Sequence, residues 1–467
     1  MAMTKFMKKG LLSCILVFWG CGAHSPEEEG WLTASAEEVD LQPEVMDHLR
    51  KEVEEGSFEN LHGLIVVRRG KLAFETYAPG HKSEDLHYVA SVTKSIGALL
   101  LGIAMDQGLF PAIRDGALDL SIEELFPQSK PWVDGSPNKQ AIRLGHILSM
   151  TAGLAWDEDS HPYDDPRNDW VRVRDQADPV KAVLSTPAEA VPGAEFVYSG
   201  GCSALLGALL ERVTGDPHEF AREAFFGPLG IHEFEWQDLA SGVLDVPGGL
   251  HLRPRDMAKI GQMMLDHGLW RGRRIVSEDW VHESCNMKVE NSFGPGYGLH
   301  WWVGDYQFRG ESVFMYLASG HGGQRILVIP ELEMVVVIVQ QVFNNPMADA
   351  NNLSILTQFL LPAANLLGEE QPWNPADPFE LHLYEGDYRT ERGNFQIEIR
   401  SEKLWALAEN APPLELRLVG KDRFRGTAFG RIEIDFQFRR NSTGEVTGGK
   451  SSYGFTQESF HRLLSED

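Results

Sequence analysis

What is scarce in this chain narrows what it can be. Only four of its 467 residues are cysteine. Cys14 and Cys21 fall at the start, so Cys202 and Cys285 allow one disulfide at most, and no Cys-x-x-Cys offers zinc or redox chemistry. After the first twenty residues there is no apolar run long enough for a membrane-spanning helix. Positive charge is scarce: 42 Lys and Arg stand against 68 Asp and Glu, a net charge of -26. Such a surface repels phosphate backbones, which excludes nucleic acid as a partner. No Gly-x-Ser-x-Gly elbow is present, which argues against an α/β-hydrolase. The 16 histidines include no His-Glu-x-x-His, so neither a metal nor a cofactor is expected. There is no internal repeat.

The length predicts a large domain with at least one smaller companion, and 43% hydrophobic residues can fill a substantial core. Lys5, Lys8 and Lys9 precede a short apolar run over 10–20, so residues 1–21 read as an export signal leading to the periplasm or envelope. Cys21 sits where a lipoprotein signal would be cut, although Trp19 is bulky for that site. Lipidation there would attach the protein to a membrane. Oligomeric state has no sequence signature.

Residues 64–67 and 72–76 predict a hairpin turning at Arg69-Gly70. Val92, Ile96, Leu99, Leu100 and Ile103 follow helical spacing, and Gly97, Ala98 and Gly102 leave room for close packing, so a buried helix is expected over 91–106. The middle, 142–281, reads as mostly helical. Strands return at 326–329 and 334–339 around Pro330-Glu331. The expected fold class is α+β: an antiparallel sheet flanked by helices, with a helical insertion, over 30–365. A proline-rich linker at 366–379 leads to a small β-barrel-like module at 380–467, where Phe395, Ile397 and Ile399 alternate with polar residues, as do Ile432, Ile434 and Phe436.

Ser91-Val92-Thr93-Lys94 is a Ser-x-x-Lys pair, a pattern that arises by chance about once or twice in a chain this long. Ser136-Pro137-Asn138-Lys139 repeats it in what reads as a Gly/Pro/Asn-rich loop. On a helix, residues three apart lie roughly 5–6 Å from each other at Cβ, so Lys94 folds back onto Ser91. Burial and the positive helix end disfavour its ammonium form, and a free amine can accept the serine proton. A capping serine followed by a surface lysine would give the same letters. Tyr198, in 196–200 ahead of an apolar helix, can shuttle a proton, although a lone tyrosine is commonly core. Ser319-Gly320-His321-Gly322-Gly323-Gln324 runs into a strand, and its glycines admit a substrate close to the backbone.

Gly444 to Ser451 fits the phosphate-loop formula Gly-x4-Gly-Lys-Ser, but only 16 residues follow it, in an alternating β pattern. A turn between strands explains those glycines better.

In order and spacing, Ser91/Lys94, Tyr198-Ser199-Gly200 and His321-Gly322-Gly323 resemble the three motifs of the serine β-lactamase and penicillin-binding superfamily. Further segments at 153–158, 248–250, 253–258 and 298–302 resemble its class C-like esterase and amidase branch, in particular the 6-aminohexanoate-dimer hydrolases. The C-terminal module resembles the lipocalin-like domains often appended to such enzymes. The resemblance implies Ser91 as acylated nucleophile, Lys94 as base, Tyr198 as proton shuttle, and the backbone N–H groups of Ser91 and Gln324 as oxyanion hole. Gly200 replaces the usual Asn and His321 the usual Lys, which weakens a β-lactam reading and favours a small-molecule ester or amide. Trp156, Trp301 and Trp302 are candidate walls of an acyl pocket. The rivals are a β-lactamase or D,D-peptidase, and a non-catalytic envelope protein of the same fold.

Overall fold

The computed structural model describes residues 25–463 apart from 28, 130–135, 292–293, 310, 346, 366–380, 410 and 429–431. The expected signal at 1–21 with Cys21, and the linker at 366–379, lie outside the described residues. Among the described residues no helix is long and apolar enough to cross a membrane.

The hairpin appears as strands Leu61–Arg68 and Lys71–Tyr77. It forms part of an eight-stranded sheet, but its neighbour on the other side comes from the far end of the domain. Leu61–Arg68 pairs antiparallel with Met334–Gln340, Val66 lying opposite Val336. The sheet then continues through Gln324–Ile329, Glu311–Gly320 and Trp302–Phe308, with short edge strands Leu32–Thr33 and Gly296–Tyr297. The central strands carry apolar residues on both faces because both are covered. One face packs on the buried helix Val92–Asp106, and the other on helices near Pro43–Glu54 and 355–363.

The small residues of Val92–Asp106 serve as their spacing predicts. A Cβ on Gly102 would lie 2.3 Å from the Trp280 ring, and one on Gly97 2.5 Å from Val246. The helical middle is as expected in Gly200–Thr214 and Pro254–Leu265, but it also holds a small sheet, Glu235–Trp236, Leu250–Leu252 and His87–Tyr88, that the periodicity does not reveal. At the start of Pro254–Leu265, Asp256 is fully buried and binds Arg253 at 2.7 Å and Lys259 at 2.9 Å. Cys202 and Cys285 are free thiols and do not pair, and burial pushes the Cys202 thiol up to about 12.

The C-terminal module is a closed antiparallel barrel of eight strands in sequential order, from Gly386–Arg389 to Thr456–Arg462. Eight strands leave an interior that side chains can fill, and Tyr384, Tyr388, Phe424, Phe438 and Phe460 fill it. The phosphate-loop look-alike is the hairpin between Ile432–Arg440 and Val446–Tyr453, with Gly448 opposite Arg439. The barrel docks on the hydrolase sheet at Trp302–Phe308. There the Gln307 N–H donates to Gly454 O, Phe455 meets the Tyr306 ring edge-on at 5.1 Å, and Arg309 pairs with Glu433 at 3.2 Å.

Candidate active site

Ser91 stands at the N-terminus of the buried helix, directly after Ala90, whose φ of 48° is the left-handed conformation that a residue with a Cβ rarely adopts. The turn is held: Thr93 Oγ1 donates to Ala90 O at 2.6 Å and accepts from the Leu250 N–H at 3.3 Å. Strain fixed in this way presents Ser91 at the floor of a cleft. Lys94, 3% exposed, reaches back as the spacing predicts, with Nζ 2.9 Å from Ser91 Oγ and 2.6 Å from Pro247 O. Tyr198 lies beside the pair, its ring centroid 5.1 Å from Lys94 Nζ, and lines the same cleft as Ser91. All three motif residues therefore converge.

This cradle suits both states of the lysine. Pro247 O can only accept, so one N–H is committed to it; an ammonium then donates to Ser91, while an amine can turn its lone pair to the serine hydroxyl. The sequence predicts that the charge is suppressed, and burial does oppose it. The Tyr198 oxygen and the Glu158 carboxylate more than compensate, however, and Lys94 is held above the ordinary lysine range. Burial raises Tyr198 as well, against the pull of Lys94, so the phenol keeps its proton.

Glu158 is the functional residue that sequence reasoning missed. Buried to 3% exposure, it accepts from Trp156 Nε1 at 2.9 Å, the Tyr163 hydroxyl at 2.9 Å and the Gly200 N–H at 2.5 Å. It also explains Gly200: a Cβ there would lie 2.8 Å from the Trp170 ring and 3.1 Å from the Glu158 carboxylate. The space of the usual Asn side chain is occupied. Nothing in the spacing of Glu158 marks it, because its partners arrive from 163 and 200.

The cleft above Ser91, about 950 Å³, is walled by Tyr163, Tyr198, Trp302, His321, Gly322 and Gly323. Of the three tryptophans considered, only Trp302 lines it, stacked on Tyr198 at 5.9 Å. Trp301 is fully buried against Tyr316, and Trp156 lies behind the site, holding Glu158. Gln324 is also displaced from its expected role. The sheet edge that meets the nucleophile is the end of Glu311–Gly320: a Cβ on Gly320 would lie 2.3 Å from Val89 O. Gln324 begins the next strand, 1% exposed, with its side chain donating to Gln340 O, and it does not line the cleft. The His321 ring lies tilted against Tyr163 at 5.0 Å and Phe343 at 5.4 Å, and burial holds its pKa below the usual imidazole value, so the ring is neutral.

The decoy pair corrects one criterion. Ser136 and Lys139 also stand at a helix start, Pro137–Ala141, where a loop is expected. Ser136 Oγ accepts from the Lys139 N–H at 3.3 Å, while Lys139 Nζ points away to Thr186 O. A helix N-terminus alone does not separate nucleophile from cap; the third group, Tyr198, does.

A family model described as Beta-lactamase matches residues 51–358. The 6-aminohexanoate-dimer hydrolase of Paenarthrobacter ureafaciens is 25% identical over 307 residues, spanning 58% of this chain and 70% of that protein. Among solved structures, the octameric penicillin-binding protein homologue from Pyrococcus abyssi superposes with a TM-score of 0.53 at 18% identity, covering 89% of this chain and 99% of that one. EstCE1, a hydrolase with promiscuous acyltransferase activity, gives 0.50 at 17%, covering 66% and 98%. These two likenesses establish the fold. With well over half of its length matched by the family model, the chain belongs to the Beta-lactamase family and is a serine hydrolase of that fold.

Proposed function

We propose that this protein is an exported hydrolase of esters or small amides that works through an acyl-enzyme on Ser91. The observation that carries the reading is the contact of Lys94 Nζ with Ser91 Oγ at 2.9 Å, with the Tyr198 ring 5.1 Å from the same Nζ. Lys94, once it has given up its proton, takes the hydrogen of Ser91 as Oγ attacks the carbonyl carbon. The oxyanion is met by the Ser91 N–H and by a second N–H from the strand end at 320–321, a better-placed source than Gln324. Tyr198 passes the proton to the departing alcohol or amine. Water then attacks the acyl-enzyme by the reverse relay.

The surroundings favour a neutral or cationic substrate over an anionic β-lactam. Asp159, Glu195, Glu290 and Asp349 line the cleft. Arg325 also lines it, but it is bound to Asp349 at 2.6 Å and to the Gln324 carbonyl at 2.8 Å. His321, uncharged, supplies no cation where the related enzymes use lysine. The export-type start and Cys21 make secretion, with lipid attachment at that cysteine, part of this proposal.

A fluorophosphonate probe, read by intact mass, should add one adduct to the wild type and none to folded Ser91→Ala. Equal labelling of the two would remove the nucleophile. Short p-nitrophenyl esters should turn over faster than nitrocefin, and the opposite order would reverse the substrate reading. A purely binding protein would acquire no adduct.

A further inference from the structure

Beside the catalytic cleft lies a second cavity, of about 450 Å³, for which the hydrolytic step has no use. Its walls come from three parts of the molecule: Leu317, Leu327 and Ile338 from the sheet, Leu353 and Leu356 from the helical segment beneath it, and Phe455 from the barrel hairpin. Side chains in a protein interior close-pack and leave few voids larger than a water molecule. A space this size lies instead within the ~300–1,000 Å³ of ordinary small-molecule sites. Most of its lining is aliphatic or aromatic, Asn291, Ser319, Arg325, Asp349, Asn352 and Thr456 being the polar part, and such a lining suits hydrocarbon.

The cavity adjoins the cleft, with Asn291 among the residues common to both. Trp302, Ser319, Arg325 and Asp349 line both spaces. Trp302 is shared between the two spaces: its ring stacks on Tyr198 at 5.9 Å, and the residue also lines the cavity. The barrel completes the outer wall: Phe455 is held by Tyr306 at 5.1 Å, and Gly454, its neighbour, is tied by backbone to Gln307. The barrel's own interior is filled with aromatic rings, so it serves this site as a wall and not as a container.

We propose that this cavity binds an extended hydrocarbon chain of the substrate whose carbonyl is attacked by Ser91, and that the barrel hairpin at Phe455 sets the accepted chain length. The inference rests on the hydrolase reading given above and narrows its substrate class to esters or amides bearing a medium-length apolar chain. The chain can belong to the acyl or to the alcohol part.

Two ester series distinguish these sources: p-nitrophenyl esters from acetate to dodecanoate, and acetate esters of alcohols from ethanol to dodecanol. Each methylene buried from water multiplies affinity by about fourfold. In one series kcat/KM is expected to climb at least about 30-fold between two and eight carbons and then level off. Leu353→Trp, which fills the cavity, should cut the octyl-to-ethyl ratio of kcat/KM at least about tenfold in the same series. Phe455→Ala, which opens the outer wall, should lower that ratio too. Because the readout is a ratio within one protein, partial loss of folded enzyme cancels. No rise with chain length in either series, or a ratio untouched by both variants, would overturn the proposal. If those activities still vanish in Ser91→Ala, the hydrolase reading stands without it; if Ser91→Ala keeps them, that reading is the one that fails.

Discussion

The carboxylate of Glu158 accepts the backbone N–H of Gly200 at 2.5 Å, in the space where an amide side chain would stand in a β-lactamase-like site. One buried acid thereby anchors the tyrosine loop and places a negative charge near Lys94. Glu158→Gln keeps the shape and removes the charge. Since the carboxylate raises Lys94, the variant should lower it, and the acid limb of the pH profile of kcat/KM should move to lower pH. A limb that stays in place would confine Glu158 to a scaffolding role.

Lys94 must lose a proton before it can accept one from Ser91, and it is held above the ordinary lysine value. The sign follows: activity on a p-nitrophenyl ester should rise with pH from neutrality into the alkaline range, corrected for spontaneous hydrolysis. Lys94→Arg keeps the charge but supplies no base at any usable pH, and a loss of about 10²–10⁴ in kcat is expected, as for a missing general base. Tyr198→Phe should fall in the same range.

His321 is uncharged at neutral pH because burial lowers its pKa. His321→Lys places a cation at the cleft wall, and the ratio of nitrocefin to ester turnover should increase. If the ratio does not change, the missing cation is not what separates this enzyme from β-lactams.

Asp256 is fully buried between Arg253 and Lys259. Removing one member of such a group strands the others, at a cost of about 3–5 kcal/mol. Asp256→Ala should show this as a lower midpoint in urea at unchanged slope.

Much of this was legible beforehand for a local reason. Ser91 and Lys94 sit three apart on one helix, and their contact follows from helical geometry alone. Tyr198 and His321 were findable because each lies at the end of an element with clear periodicity. Glu158 and Tyr163 were not, because they lie in an irregular stretch whose contacts are made across the fold. The misreadings share that origin. Gln324 and Gly320 are four residues apart in sequence yet lie opposite each other on adjacent strands, and only the folded chain shows that Gly320, not Gln324, lines the cleft with Ser91. Trp301, just before the strand Trp302–Phe308, is fully buried while its neighbour Trp302 lines the cleft, and the sequence does not say which one faces it.

The pairing of Leu61–Arg68 with Met334–Gln340 also governs how the molecule forms. The middle of the sheet joins the two ends of the catalytic domain, so its most buried ladder closes only after nearly all of that domain has been synthesised. Folding dominated by contacts so distant in sequence is slow. Until it finishes, the Val- and Ile-rich strands present bare edges that invite pairing with other chains. A fragment ending before Met334 would keep Ser91, Lys94 and Tyr198 and still aggregate, because the partner of its central strand would be missing.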